Sequence, residues 1–189
     1  SDFVHYLNYL IFVPKYQNNN YTLNLGTTEL CKIGDYQDYI YKDNGKWYKH
    51  SEISKVVLDG SENWTTIQAY GTNYYAVTIS DILISDSGNN DALLFSNYYI
   101  GYKSNELVSN TTKDYGICRR NNQSQVLFRD KDTNTLEVLK TWLSTHNTNV
   151  YYVLATATNT EITDTTLISQ LEALNNAMAI DGVNNISSE

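Results

Sequence analysis

The amino-acid sequence predicts a mainly β fold, a β-sandwich of jelly-roll type with one packed helix and a further helix at its C-terminal end. At least nine short runs rich in tyrosine, valine and isoleucine are separated by Gly, Asn and Asp clusters, which is typical of sandwiches and jelly rolls. The 189 residues include 17 tyrosines and one proline; strands favour tyrosine and largely exclude proline. Only two stretches have the apolar spacing of a helix.

The strongest local signal is Asn44-Gly45, which lies between two aromatic runs. Both central positions of a tight hairpin turn need a positive φ, which Asn and Gly tolerate best. Further turns are expected at Ser51-Glu52 and at Asp59-Gly60, on either side of a run at residues 55–58. Residues 35–64 are therefore predicted to form a β-meander. Other strands are predicted at residues 21–25, 74–79, 93–102, 115–119, 125–129 and 149–156.

A helix is predicted over residues 136–145, with Thr133 or Thr135 as its N-cap. Apolar side chains recur on one side of it at helical spacing, so that side should pack on a sheet. Leu139 and Trp142 are therefore expected to be buried there.

A second helix is predicted from its N-cap Asp164 to about Ala179, and Asp181-Gly182 is expected to end it. Its apolar stripe consists of Leu167, Leu171, Leu174 and Met178. We expect this stripe to pack within the domain; the alternative is a homo-oligomer in which copies of the helix form a bundle. The predicted organisation is a sandwich domain at residues 1–163 and a C-terminal helix and tail at residues 164–189.

The charge and the composition exclude some partners. The formal net charge is −8, which argues against nucleic acid and against an anionic membrane surface, because both attract cationic proteins. No apolar run approaches the roughly 20 residues that a membrane helix needs, so no membrane insertion is expected. The chain begins SDFVHYLNYLIFVP, without an initiator methionine or a basic signal region. We expect it to be a fragment of a longer protein.

Two tyrosine-rich segments are the predicted ligand-binding surface. Each combines aromatic rings, which can stack on the apolar face of a sugar, with amides for its hydroxyl groups. The predicted residues are Tyr70, Asn73, Tyr74, Asn97, Tyr98 and Tyr102. Strand alternation predicts that one of Tyr74 and Tyr75, and one of Tyr98 and Tyr99, is exposed unless both sheet faces are covered.

All three arginines lie between residues 119 and 129. With a turn at residues 121–124, Arg120 and Arg129 fall on the same face of a hairpin. Together with Arg119 they form a predicted anion-binding group for a carboxylate or phosphate. The alternative is that these arginines pair with acidic neighbours, namely Asp114, Asp130 or Asp132.

Catalytic and metal-binding patterns are weak. Candidate carboxylate pairs, such as Asp35 with Asp38 or Asp86 with Asp91, lie in turns where acidic residues are usually solvated. The segment at residues 86–91 lacks the calcium-loop pattern, and no Cys and His spacing suits zinc. Cys31 and Cys118 are expected to be buried thiols. We therefore predict no catalytic residue, no metal and no cofactor.

Two segments carry a family resemblance. The first is LCKIGDYQDYIYKDNGKWYKHSEISKVVLDGSENW, at residues 30–64, and the second is LEVLKTWLSTHNTNVYYVLATATNTEITDTTLISQLEAL, at residues 136–174. Together they resemble segments that recur, in this order, in minor structural proteins of phages and prophages of Gram-positive bacteria. Those proteins are tail-tip or baseplate components of the receptor-binding type.

The resemblance implies a virion protein of the phage tail, assembled in the bacterial cytoplasm and in contact with other tail proteins. The tyrosine-rich, weakly charged composition adds the expectation that it binds host cell-wall polysaccharide, in the manner of a lectin or carbohydrate-binding module. Two alternatives stay open. One is a purely architectural tail module, and the other is a glycan-degrading enzyme that uses a carboxylate pair.

Overall fold

The computed structural model describes residues 9–10, 20–84, 94–104, 106–109, 113–120 and 122–186. The chain forms two compact units. Unit 1 comprises the described residues of Ser1–Lys32, Gln37–Ser51 and Ala157–Glu189. Unit 2 comprises those of Ile33–Tyr36 and Glu52–Thr156. Each unit has its own hydrophobic core, so the two are described separately.

Strands dominate the described residues, which confirms a mainly β protein consistent with a β-sandwich. The strands are β1 (Tyr9–Leu10), β2 (Asn20–Leu25), β3 (Thr28–Ile33), β4 (Tyr36–Gln37), β5 (Tyr39–Asp43), β6 (Lys46–Leu58), β7 (Trp64–Thr66), β8 (Tyr74–Thr78), β9 (Leu94–Ser96), β10 (Gly101–Tyr102), β11 (Tyr115–Arg119), β12 (Gln125–Asp130) and β13 (Thr148–Glu161). The α-helices are α1 (Glu106–Ser109), α2 (Leu136–Thr145) and α3 (Thr165–Ile186), and a short 3-10 helix covers Gln68–Tyr70. Among these described helices, none combines the length and apolarity required to cross a membrane.

The central sheet of unit 2 has the strand order β10-β11-β12-β8-β7. Its pairs are antiparallel except β10 with β11, which is parallel. Apolar clusters cover both of its faces. The first core contains Leu58, Trp64, Tyr75, Val77, Ile79, Ile82, Leu94, Tyr99, Ile117, Val126, Phe128, Leu139, Leu143, Val150 and Tyr152. The second contains Ile67, Tyr74, Ala76, Leu107, Cys118 and Leu127.

Helix α2 packs on the first core of unit 2. The Thr135 side chain caps it by accepting a hydrogen bond from the backbone N–H of Val138 at 3.3 Å, as predicted. Leu139 and Leu143 are fully buried, which confirms the inward face. The predicted burial of Trp142 is confirmed only in part: the residue packs against the first core but is half-buried, and its ring stacks on the His146 ring with the centroids 4.4 Å apart.

Unit 1 contains the predicted hairpin. Strands β5 and β6 pair in antiparallel register from Tyr39 opposite His50 to Asp43 opposite Lys46. Asn44 and Gly45 both have positive φ, 47° and 79°, which confirms the predicted turn. The core of this unit joins two distant parts of the sequence, residues 30–47 and 162–171. Its buried residues are Leu30, Ile40, Trp47, Ile162, Leu167 and Leu171.

Three predicted strands have the wrong boundaries. The run predicted at residues 93–102 is divided into β9 and β10 by a bend at residues 97–99. No turn forms at Ser51-Glu52, because β6 runs without interruption from Lys46 to Leu58. Ser51 is buried, as are Trp47 and Ile53 in the same strand. The strand therefore continues through a polar residue at which the sequence predicted a turn. The last strand, β13, extends to Glu161, five residues beyond the predicted end at Thr156.

Helix α3 begins as predicted and ends later than predicted. The Asp164 carboxylate accepts hydrogen bonds from the backbone N–H groups of Thr166 and Leu167 at 2.9 and 3.1 Å. The helix continues through Asp181-Gly182 to Ile186; a glycine inside a helix costs only about 1 kcal/mol. Leu167 and Leu171 are buried, whereas Leu174 and Met178 are exposed. Only the first half of the stripe therefore packs within the unit.

Cys31 and Cys118 are buried thiols that form no disulfide, as expected. Each lies within a strand, Cys31 in β3 and Cys118 in β11. The acidic segment at residues 86–91 lies outside the described residues, and so does most of the apolar N-terminal run.

Candidate functional site

A pocket of about 320 Å³ in unit 2 combines aromatic rings with carboxylates. We call it the aromatic pocket. Its lining residues are Tyr98, Tyr99, Tyr115, Asp130, Asp132, Thr133, Val138 and Trp142. Four aromatic side chains and two acidic ones thus border one concave surface, which is the kind of mixed lining that small-molecule sites have.

Three parts of unit 2 supply these side chains. Tyr98 and Tyr99 lie in the bend between β9 and β10. Tyr115 begins β11 directly opposite Asp130, the last residue of β12. The loop after β12 carries Asp132 and Thr133, and α2 then presents Val138 and Trp142 on one face, since residues four apart lie above one another.

The aromatic rings form walls at nearly right angles. The Tyr98 and Trp142 ring centroids are 5.2 Å apart with an interplanar angle of 83°. The Tyr99 ring meets Trp142 at 5.7 Å and 72°. Tyr98 is 52% exposed and Tyr115 is 40% exposed. Aromatic surface is therefore accessible at this pocket, whereas the Tyr99 ring is buried in the first core.

The acidic side chains of the pocket bind its tyrosine hydroxyls. The Tyr99 hydroxyl donates to Oδ2 of Asp130 at 2.8 Å, and the Tyr115 hydroxyl donates to Oδ2 of Asp132 at 2.6 Å. Burial, and then the negative charge of Asp130, raise the pKa of Tyr99. The hydrogen bond to Asp132 raises the pKa of Tyr115. Both hydroxyls are therefore held protonated, as donors to the carboxylates.

Of the predicted ligand-binding residues, Tyr98 lies at this pocket and Asn97 lies next to it. The Asn97 side chain accepts from the backbone N–H of Asn149 at 2.9 Å. Its amide nitrogen donates to the backbone carbonyl of Asn147 at 3.3 Å. These bonds hold the bend that presents Tyr98, so Asn97 is a positioning residue for the ring.

The predicted exposure of Tyr74 is wrong. Tyr74 is only 5% exposed, and its hydroxyl donates to the backbone carbonyl of Leu107 at 3.0 Å. Tyr75 is buried as well, because both faces of the sheet are covered. Tyr70 and Tyr102 are half-buried and pack against the same second core as Tyr74. These three rings do not line the aromatic pocket.

Asn73 supports a turn. It has a positive φ of 71°, and its amide nitrogen donates to the backbone carbonyl of Lys131 at 3.3 Å. It borders a separate pocket of about 500 Å³ in unit 2, together with Gln68, Thr72 and Leu136. The structure thus distributes the six predicted residues over three places: the bend at Tyr98, the second core and this turn.

Two of the three arginines share a face. The register pairs residues 115–119 with 126–130, and the Arg120 N–H bonds to the carbonyl of Gln125, so the hairpin closes between Arg120 and Gln125. The Arg120 guanidinium lies 5.6 Å from the Tyr70 ring centroid, and that of Arg129 lies 5.1 Å from the Tyr74 ring. Arg119 is buried and pairs with Val126 of the first core, so alternation places it on the opposite face.

Of the acidic neighbours named as alternative partners for the arginines, Asp114 is the one near an arginine side chain. Arg129 approaches Asp114 at 3.9 Å, and Arg120 donates to the Gln125 side chain at 2.8 Å. Asp130 and Asp132 bind tyrosine hydroxyls instead. The three arginines therefore do not form one anion-binding group.

Unit 1 contains a polar groove of about 660 Å³. Its walls carry the hydroxyl side chains of Thr27, Thr28, Ser51, Thr160 and Thr163, together with Lys49 and acidic residues. Lys49 lies 3.4 Å from the buried carboxylate of Asp38, which also accepts from the backbone N–H of Cys31 at 3.0 Å. Asp38, one of the candidate catalytic carboxylates, is thus used within the fold.

Sequence reasoning missed Tyr115, Asp132 and Trp142 as pocket residues. A weak signal existed in the hairpin, since the turn predicted at residues 121–124 places Tyr115 opposite Asp130, as the observed register does. Across the described ranges, no group of three or more His, Cys, Asp or Glu side chains could hold a metal ion.

Comparisons with protein-family models, with curated proteins and with solved structures find no match. The aromatic pocket is therefore interpreted from its own geometry.

Proposed function

We propose that this chain is a non-enzymatic structural module of a phage or prophage tail, and that its aromatic pocket binds host cell-surface carbohydrate. The observation that carries the binding role is the exposed ring of Tyr98 beside Trp142 and Tyr115 in one pocket. The two segments at residues 30–64 and 136–174 support the placement in a tail. We also propose that the β-sandwich has the strand connectivity of a jelly roll.

The physical basis for carbohydrate binding is the alternation of apolar and polar surface. Sugar rings have an apolar face that stacks on aromatic rings, and hydroxyl groups that need hydrogen-bonding partners. The aromatic pocket offers the rings of Tyr98 and Trp142 next to the carboxylate of Asp132. Its volume of about 320 Å³ falls at the lower end of the range for small-molecule sites.

A binding role is favoured over hydrolysis by the state of the two carboxylates. A glycosidase needs one carboxyl group to donate a proton and a second to act as base or nucleophile. Asp130 already accepts from Tyr99 and from the backbone N–H of Asp132, and Asp132 accepts from Tyr115. Release of reducing ends from purified cell walls would contradict the non-enzymatic proposal.

The binding proposal is tested by calorimetric titration with polysaccharide extracted from Gram-positive cell walls. Tyr98→Ala should abolish binding and leave the melting temperature unchanged. Ile100→Ala is the matched control, because Ile100 is 65% exposed on the same segment and does not line the pocket. Unaltered binding by Tyr98→Ala would remove the pocket from the site.

The placement in a tail needs its own test. Mass spectrometry of particles purified from an induced culture of the source bacterium should detect the chain. Its presence in particles without binding to any wall polysaccharide would favour the architectural alternative, in which it contacts only other tail proteins. Its absence from particles would contradict the tail proposal.

A further inference from the structure

We infer that the aromatic pocket selects a ligand that bears a protonated amine, such as a sugar whose amino group is not acetylated. This inference rests on the proposed carbohydrate-binding function and specifies the chemical class of the ligand. Three properties of the pocket carry it: its negative charge, the directions of its hydrogen bonds and the arrangement of its rings.

The pocket is acidic, and none of the described residues that line it has a cationic side chain. Asp130 and Asp132 contribute two carboxylates, and neither forms an ion pair with another described residue. Lys131, which does not line the pocket, lies 5.4 Å from the Tyr115 ring centroid, interacts electrostatically with the Tyr115 hydroxyl and pairs with Asp114 at 3.4 Å. The whole chain carries a formal charge of −8. A cationic ligand is therefore attracted both by the pocket and by the protein field.

Three of the four hydroxyl groups of the lining, all except that of Tyr98, are already used as donors within the protein. Tyr99 donates to Asp130, Tyr115 donates to Asp132, and Thr133 donates to the backbone carbonyl of Asp130 at 2.9 Å. What these groups leave for a ligand is acceptor capacity, because an ionised carboxylate accepts about four hydrogen bonds and donates none. An ammonium group is the matching partner, since it has three donors and no acceptor.

The aromatic walls suit the same ligand. A cation within about 6 Å of a ring centroid is attracted by the face of the ring, most strongly by tryptophan. Tyr98 and Trp142 stand at 83° to each other with centroids 5.2 Å apart, and Tyr98 is more than half exposed. A neutral hydroxyl would gain stacking and one ordinary hydrogen bond. An ammonium gains charge-assisted bonds, which are roughly twice as strong.

The test compares two oligosaccharides that differ only in the amine. Calorimetry at about pH 5, where the sugar amines are protonated and an ordinary Asp is ionised, would use a β-1,4-linked glucosamine tetramer and its fully N-acetylated counterpart. Cyclohexylamine is the third probe, a protonated amine without hydroxyl groups. We expect the glucosamine tetramer to bind at least about tenfold more tightly than the acetylated one.

Variants test whether the Asp132 carboxylate causes the preference for the amine. Asp132→Asn should weaken the glucosamine tetramer by about tenfold and leave the acetylated tetramer nearly unchanged. Glu137→Gln removes the same charge from an exposed position on α2 outside the pocket and should change neither. Tyr115→Phe keeps the ring and frees an acceptor position on Asp132, so the amine should bind as tightly as before or more tightly.

The outcomes separate this inference from the proposed function. Equal affinity for the two tetramers, or no effect of Asp132→Asn in a protein of unchanged melting temperature, would overturn the amine preference and leave carbohydrate binding intact. Binding of cyclohexylamine with no binding of either tetramer or of wall polysaccharide would support the cation site and contradict the carbohydrate function. Failure of all three probes would overturn the inference, while the wall-polysaccharide titration decides the function.

Discussion

The tyrosine pairs at residues 74–75 and 98–99 have the same sequence and opposite environments. Tyr74 and Tyr75 are 5% and 1% exposed, in a strand of a sheet whose two faces are both covered. In the second pair Tyr99 is 5% exposed and Tyr98 is 52% exposed, and the chain bends there between β9 and β10. The first pair alternates across its sheet, whereas the rings of Tyr98 and Tyr99 both contact Trp142 at one pocket. The pairs differ in whether both rings are covered by other residues: Tyr74 and Tyr75 are, and Tyr98 is not.

This difference separates stability from binding. The first pair contributes two hydroxyl bonds to buried backbone carbonyls, Tyr74 to Leu107 and Tyr75 to Thr133. The second pair divides its roles: Tyr99 enters the core and Tyr98 borders a pocket. The Tyr98 ring is available to a ligand because it lies beyond the end of β9 and no other element covers it fully. Substitutions in the two pairs should therefore have different consequences.

The largest effect is expected for Tyr75→Ala. The ring is fully buried in the first core, so its removal should destabilise the protein by about 3–5 kcal/mol through lost burial and a cavity. Chemical denaturation measures this loss, and Tyr75→Phe isolates the share of the hydroxyl bond to Thr133, about 1 kcal/mol. A loss below about 1 kcal/mol for the alanine variant would contradict the two-layer description of this sheet.

Trp142→Ala should cost less, about 2 kcal/mol, because the ring is half-buried and the 3–5 kcal/mol typical of aromatic truncation applies to a buried one. Acrylamide quenching of tryptophan emission should also fall in this variant, since the remaining Trp47 and Trp64 are buried. A loss equal to that of Tyr75→Ala, or unchanged quenching, would mean that Trp142 belongs to the core and not to the pocket wall.

Tyr99→Phe should change the response to alkaline pH. The pKa of Tyr99 is raised from 10.0 in the folded protein, so above pH 10 the unfolded chain loses this proton while the folded chain keeps it. Stability is therefore fully present below pH 10 and falls above it, by up to about 1.4 kcal/mol per pH unit.

The Tyr99→Phe variant lacks this loss, so its denaturation midpoint should fall less steeply between pH 9 and pH 11. Tyr152→Phe should flatten the profile in the same way between pH 9 and pH 11, because the pKa of Tyr152 is raised to about 12, above this range. Parallel pH profiles for Tyr99→Phe and the parent protein would show that Tyr99 is not buried beside a charged Asp130.

The smallest effect on stability is expected for Tyr98→Ala, within about 0.5 kcal/mol, as for other exposed positions. The same substitution should remove ligand binding, so it separates the two roles most clearly. A melting temperature lowered as far as in Tyr75→Ala would show that the outer ring of the second pair is structural, and the contrast between the pairs would fail.

Local chemistry explains which parts of the fold could be predicted. The Asn44-Gly45 turn and the caps at Thr135 and Asp164 depend on a few adjacent residues, and all three were found. The continuation of β6 through Ser51 could not be predicted. Whether a polar residue is buried depends on the residues that pack against it, and these are distant in the sequence. For the same reason alternation alone could not tell that Tyr74 and Tyr75 are both covered.

The candidate site was predictable only in part. Tyr98 was identified because a tyrosine pair beside turn residues indicates an exposed ring. Its neighbours Tyr115, Asp132 and Trp142 come from positions 17 to 44 residues further along the chain. They reach the pocket through the pairing of β11 with β12 and the packing of α2. Pairings of this kind are tertiary, and no short sequence pattern specifies them.

The composition of unit 1 has a consequence for biosynthesis. Its core is built from residues near the start of the chain, such as Leu30 and Ile40, and from Ile162, Leu167 and Leu171 near the end. On the ribosome, which adds about 5–20 residues per second, the first 51 residues must wait until more than 110 further residues have been synthesised. Unit 2 can fold earlier, since all of its residues precede Ala157. Nascent chains therefore expose the apolar strands of unit 1 until the segment with Ile162, Leu167 and Leu171 has been synthesised.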